Sequence, residues 1–134
     1  MGKNVFITGA TSGIGRETAI AFAKHGDNLL LCARRADKLD EMKTALESMY
    51  KVKVTVFVLD VTDRKAVTEI VPQMVEKIGG VDILVNNAGV SDSMMTIDCN
   101  PEHFQEIINL NVNAVFNAIQ PSVELMKEQG GGCI

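Results

Sequence analysis

Glycines at positions 9, 13 and 15 punctuate the stretch Thr8-Gly9-Ala10-Thr11-Ser12-Gly13-Ile14-Gly15, directly after the apolar run Val5-Phe6-Ile7. An apolar helical pattern opens on the same residues. A chain that must run strand, then glycine turn, then helix has few folds open to it. Glycine admits backbone angles that a side chain disfavours, and its missing Cβ lets the main chain come close to a bound group. The helix that follows presents unpaired N–H groups and a partial positive charge at its N-terminus. Together these make a cradle for an anion, and in a strand–turn–helix setting the expected anion is the pyrophosphate of a dinucleotide. A phosphate loop of the nucleoside-triphosphatase type is excluded, because nothing from Gly9 to Gly15 supplies its Gly-Lys-Ser/Thr ending.

The rest of the chain repeats the alternation. Short aliphatic runs at residues 5–8, 29–32, 54–59 and 81–85 read as strands covered on both faces. Between them, apolar residues recur at helical spacing: Leu39, Met42, Leu46 and Met49, then Ala66/Val67, Ile70/Val71, Met74/Val75 and Ile78. Thr62 or Asp63 is expected to cap the second of these helices, and Pro72 to kink or split it. Asn100-Pro101 predicts an N-cap followed by proline at the first helical position. From there Phe104, Ile107, Ile108, Val112, Val115, Phe116, Ile119, Val123 and Met126 carry one apolar face to about residue 128, and Gly130-Gly131-Gly132 ends it. Cys133-Ile134 is expected to begin a fifth strand. The pattern predicts an α/β fold, a Rossmann-type doubly wound parallel sheet with visible strand order 3-2-1-4, as one domain over residues 1–134.

Composition narrows the class. Hydrophobic residues make up 46% of the 134, yet no apolar run approaches a membrane span. A net charge of −4 without a basic stripe argues against nucleic acid as the main partner. Cys32, Cys99 and Cys133 form no Cys-x-x-Cys pair and leave an odd count, so neither a disulfide framework nor a metal site is expected. No secretory leader is read at the N-terminus, and Phe6 stands where a myristoylation signal needs Ser or Thr. A soluble, cytoplasmic protein is the expectation.

A doubly wound sheet binds ligands at the carboxyl ends of its strands, where the order switches between the first and fourth. Residues 9–15, Arg34-Arg35, Asp60 and Asn86-Asn87-Ala88-Gly89 all fall at such ends. Each has a plainer reading: a solvated loop for the arginines, a helix cap for Asp60, an ordinary turn for the last. Their recurrence at successive strand ends favours a shared site. These motifs resemble the N-terminal half of the short-chain dehydrogenase/reductase family. Thr8, Gly9, Gly13 and Gly15 match its T-G-x-x-x-G-x-G, Asp60-Val61 its acidic residue and apolar neighbour, and Asn86 to Gly89 its N-N-A-G. Asn111, within Leu110-Asn111-Val112-Asn113, matches the Asn of its catalytic tetrad.

The resemblance implies that the backbone around Gly9, Thr11, Ser12, Gly13 and Ile14 holds the pyrophosphate and adenosine ribose. It implies that Asp60 bonds the adenine amino group while Val61 packs on the ring, and that Asn87, Ala88 and Gly89 line the ribose side. Asn111 is implied to hold a water in a proton relay beside a local break in its helix. Asn109, Asn113 and Asn117 lie nearby, and only the family motif singles out Asn111. Charge bears on the choice of cofactor. NAD sites usually place a carboxylate at the end of the second strand, whereas here Arg34 and Arg35 stand there and no acid comes before Asp37. Guanidinium groups can grip a 2′-phosphate in bidentate fashion, so NADP(H) is expected over NAD(H). The arginines could instead face solvent or stack on adenine.

The chain departs from the family in lacking its Ser and its Tyr-x-x-x-Lys. Tyr50 is the sole tyrosine, with Val54 four residues on, and no serine follows the expected fifth strand. The expectation is a chain truncated before the family's acid/base residues, inactive alone. The complete protein would be an NADP(H)-dependent oxidoreductase moving hydride between nicotinamide and a carbonyl or secondary alcohol. The stretch from Cys32 to Leu39 is similar to members acting on short 3-hydroxy acids. Residues 91–95 line the near side of that substrate's pocket or form a surface loop. A homodimer or homotetramer is implied for the full-length protein. The alternatives are a non-catalytic NADP(H)-binding or redox-sensing protein, and a fragment completed by a partner chain.

Overall fold

In the computed structural model, which describes residues 2–134, a four-stranded parallel sheet runs β3-β2-β1-β4. Met1, where the expected domain begins, lies outside the described residues. The strands are β1 (Asn4–Thr8), β2 (Asn28–Ala33), β3 (Val54–Val58) and β4 (Ile83–Val85). The strand order is the predicted one. In the central pair Val5 aligns with Leu29 and Ile7 with Leu31. Side chains alternate across a strand, so these four face one layer while Phe6, Leu30 and Cys32 face the other. That is why both central strands read as unbroken apolar runs.

Helices α1 (Gly13–His25) and α2 (Ala36–Tyr50) cover the first face, where Ala19, Ala23, Leu39, Met42 and Leu46 are buried. Helices α3 (Arg64–Ile78) and α5 (Ala114–Glu128) cover the second, through Val67, Val71, Val75, Ile78, Ala114, Ala118 and Met126. The α3 cap is Asp63, whose side chain accepts the Ala66 N–H at 3.0 Å. Pro72 does not split α3. A proline inside a helix costs about 3 kcal/mol, and burying Val67, Val71, Val75 and Ile78 at roughly 1.5–3 kcal/mol each outweighs that.

The apolar pattern of residues 101–128 is divided. Helix α4 (Pro101–Ile108) gives way to a widened π turn at Asn109–Asn113 before α5 begins. Asn100 caps α4 by accepting the His103 N–H at 2.7 Å. β4 begins two residues later than expected, because the Gln129 side chain accepts the Val81 N–H and donates to the Val81 carbonyl. On the outer side of β4, Cys133 forms a single parallel bridge with Ile83, a first step towards the expected fifth strand. No helix among the described residues is long and apolar enough to cross a membrane.

Candidate nucleotide site

Every strand end on one side of the sheet opens into the same cleft, of about 920 Å³. Its walls include each residue expected to meet a cofactor: Gly9, Thr11, Ser12, Gly13, Ile14, Arg34, Arg35, Asp60, Val61, Asn87, Ala88 and Gly89. The turn from β1 into α1 is shaped by two glycines in the left-handed region, Gly9 at φ +62° and Gly13 at φ +52°. A Cβ at Gly9 would lie 2.8 Å from the Ala88 Cα, so this glycine lets two strand ends close on each other. A Cβ at Gly13 would meet no protein atom within 4 Å. Its bareness leaves room for something outside the chain. Gly15 differs again: a Cβ there would collide with the Gly9 carbonyl oxygen and Asn87 Nδ2, so its role is to let α1 approach β1.

Ser12 caps α1 in extended conformation, but its hydroxyl makes no capping bond. The first turn of α1 is thus left without a side-chain cap, beside the open space at Gly13. Ile14 beside them is 81% exposed, unusual for a large aliphatic side chain in a helix packed on a sheet. These features fit a phosphate-bearing group seated on the turn.

The strand ends are locked by Thr8 and Asn87. Buried Thr8 accepts the N–H groups of Asn87 and Ala88 on its Oγ1, each at 3.1 Å. Asn87 Nδ2 donates to the carbonyls of Thr8 at 3.1 Å and Gly9 at 2.9 Å. The Asn87 amide thus fastens the glycine turn. Thr8, quoted in the motif without a role of its own, is its partner in that fastening.

Asp60 accepts both the N–H and the hydroxyl of Thr62 on Oδ1, at 2.9 and 2.7 Å. Those two bonds, with a smaller contribution from the nearby Arg34 charge, hold its carboxyl below the ordinary value of 3.8. It is a carboxylate at neutral pH, an acceptor suited to an amino group. Arg35 is paired: its Nη2 lies 3.0 Å from Asp37 Oδ2. Arg34 has no ion-pair partner within 4 Å among the described residues. The two arginines, alike in sequence, are therefore unlike in the fold.

Asn111 sits outside the cleft wall, in the π turn. Its Nδ2 donates to the carbonyls of Val90 at 2.8 Å and Ile107 at 2.9 Å, and its Oδ1 accepts the Val90 N–H at 3.3 Å. It ties the loop after β4 to the helix that follows. Asn109 lines the far end of the cleft with Val90, Glu106 and Leu110. Of this group, the last two lie four apart on consecutive helical turns, a spacing that gave no chemical signal in the sequence. Residues 91–95 are exposed and outside the wall of this cleft. Asp92 in that loop is hydrogen-bonded to His103 of α4.

Comparison with known proteins bears directly on this geometry. A family model described as short chain dehydrogenase matches residues 3–134. The chain is 40% identical over 133 residues to a 3α-hydroxysteroid dehydrogenase of Mediterraneibacter gnavus, covering 98% of this chain and 53% of that protein. It superposes with a TM-score of 0.93 and 32% identity on an alcohol dehydrogenase of the archaeon Thermococcus sibiricus complexed with 5-hydroxy-NADP, covering 99% and 57% of the two chains. An NAD+-bound xylitol dehydrogenase matches at a TM-score of 0.91 and 27% identity, over 97% of this chain and 50% of the other. The chain spans about half the length of the curated relatives it matches.

Proposed function

Because this chain belongs to the short-chain dehydrogenase family, we propose that it forms the dinucleotide-binding half of an NADP(H)-dependent oxidoreductase acting on a carbonyl or secondary alcohol. The observation that carries this reading is the cleft itself, which unites the glycine turn, the free N-terminus of α1, Arg34 and Asp60 at the ends of four parallel strands. The α1 N–H groups and the Ser12 hydroxyl bind the pyrophosphate. Asp60, fixed by Thr62, accepts from the adenine amino group, and Val61 packs on the ring. Arg34 holds the 2′-phosphate. A bound nicotinamide dinucleotide supplies or accepts the hydride. Asn111 positions the loop after β4 and supports the proton relay, whose acid/base groups lie outside these residues.

The protein acts in the cytoplasm as a homo-oligomer. The outer face of α4 and α5 supports an assembly, exposing Phe104, Val112, Phe116 and Val123 to solvent. A short 3-hydroxy acid is one substrate of the class. Titration of the protein with NADPH and NADH, read by nicotinamide fluorescence, tests the cofactor assignment. Arg34→Ala should weaken NADPH far more than NADH, since a charge-assisted bond to phosphate contributes roughly 1.5–3 kcal/mol before screening. Equal losses for the two cofactors would overturn it.

A further inference from the structure

We propose that Asp37 sets the cofactor preference of this site by holding Arg35 away from the 2′-phosphate, so that Arg34 alone reads it and NAD(H) remains an acceptable ligand. This rests on the dinucleotide reading above. Arg34 and Arg35 both line the cleft, one residue apart at the end of β2, but only Arg35 is engaged. Its Nη2 donates to Asp37 Oδ2 at 3.0 Å, and Asp37 stands just outside the cleft in the first turn of α2. The carboxylate of Asp37 thus stands beside the two guanidinium groups, with the Lys38 ammonium next to it turned to Glu41 at 3.1 Å.

Asp37 occupies Arg35 with the same kind of contact the phosphate would make, oxygen on guanidinium. An incoming 2′-phosphate must share Arg35 with the carboxylate, displace it or do without that arginine, and it meets the Asp37 charge in every case. A 2′-hydroxyl carries no charge and meets neither penalty. Arg35 and Asp37 are both more than half exposed, so the pair is weak and can open. Asp37 therefore tunes the preference for NADP(H) rather than abolishing it.

Four substitutions test this in the full-length protein, with 2′,5′-ADP and 5′-ADP as non-reacting probes alongside NADPH and NADH. Asp37→Asn should tighten 2′,5′-ADP and NADPH by about fivefold at low ionic strength, with a smaller gain in high salt. Affinity for 5′-ADP and NADH should stay within about twofold of the parent, an exposed charge having little other effect. Asp37→Glu keeps the carboxylate and should behave as the parent. Adding Arg35→Ala to Asp37→Asn should erase the gain, a coupling that a change in fold would not produce. An unchanged ratio of 2′,5′-ADP to 5′-ADP affinity in Asp37→Asn would overturn the proposal, as would a gain that survives Arg35→Ala. Arg34→Ala separates the two levels. If it lowers that ratio while Asp37→Asn does nothing, the 2′-phosphate site stands and the role of Asp37 falls. If Arg34→Ala leaves the ratio unchanged, the 2′-phosphate site itself falls.

Discussion

Gly13 and Gly15 are two positions apart and do opposite work, which makes them the sharpest test of the site. Gly13→Val puts its side chain into open space at φ +52°, so the fold bears only the backbone strain, about 1–2 kcal/mol. The added methyl groups enter the volume above the α1 N-terminus. We expect near-native circular dichroism and no measurable NADPH binding by isothermal titration. Gly15→Ala, though smaller, drives a methyl into the Gly9 carbonyl and the Asn87 amide. It should lower stability by about 1–3 kcal/mol in urea unfolding, the usual range for overpacking, whether or not cofactor is present. The cleft residues that follow β1 to β4 were legible because each group stands after an aliphatic run, whereas Glu106 and Leu110 follow none and were not. What those residues bond to was not. Arg34 and Arg35 are indistinguishable in sequence, and only the fold shows Asp37 reaching back from the next helix to one of them.

Elements were legible in proportion to how local their causes are. β1 and β2 are covered on both faces and declare themselves as Val5-Phe6-Ile7 and Leu29-Leu30-Leu31-Cys32. The late start of β4 depends on Gln129, 48 residues further along the chain, and no local pattern reveals it. Of the two outcomes expected at Pro72, a split does not occur, since packing against the sheet outweighs the local penalty. Apolar spacing through Ile108 and Val112 suits an unbroken helix equally well, so the π turn at Asn109–Asn113 was announced only by the family resemblance, as a break beside Asn111. Within that turn the Asn111 side chain donates to the Ile107 carbonyl four residues back. Asn111→Ala should therefore do more than remove a polar group. Losing its bonds to Ile107 and Val90 should cost about 1–2 kcal/mol of stability. Amide hydrogen exchange at Val90 should accelerate while exchange in β1 and β2 does not. Unaltered protection at Val90 would mean that the loop is held by other contacts.

At the scale of the whole molecule, residues 1–134 carry two surfaces prone to association. β4 is three residues long and, among the described residues, meets only the Cys133 bridge on its outer side. Phe104, Val112, Phe116 and Val123 are each more than 40% exposed on the α4–α5 face. Open strand edges and apolar patches invite contact between copies. Expressed alone, residues 1–134 should sediment as self-associated species, bind NADPH weakly and turn over no carbonyl substrate. A chain extended to the length of its relatives should give a discrete oligomer and restore turnover. A monodisperse, active monomer of 1–134 would contradict this. The same molecule also contains its own clock for opening. Cys32 sits at the heart of the sheet with no exposed surface, and burial pushes its thiol up to about 12. A thiol reagent reacts with it when the strands part, because burial shields the sulfur and disfavours the reactive thiolate while β2 is closed in. With Cys99 and Cys133 replaced by serine, the alkylation rate of Cys32 would count those partings directly, and saturating cofactor should slow it in proportion to how tightly it binds the closed form.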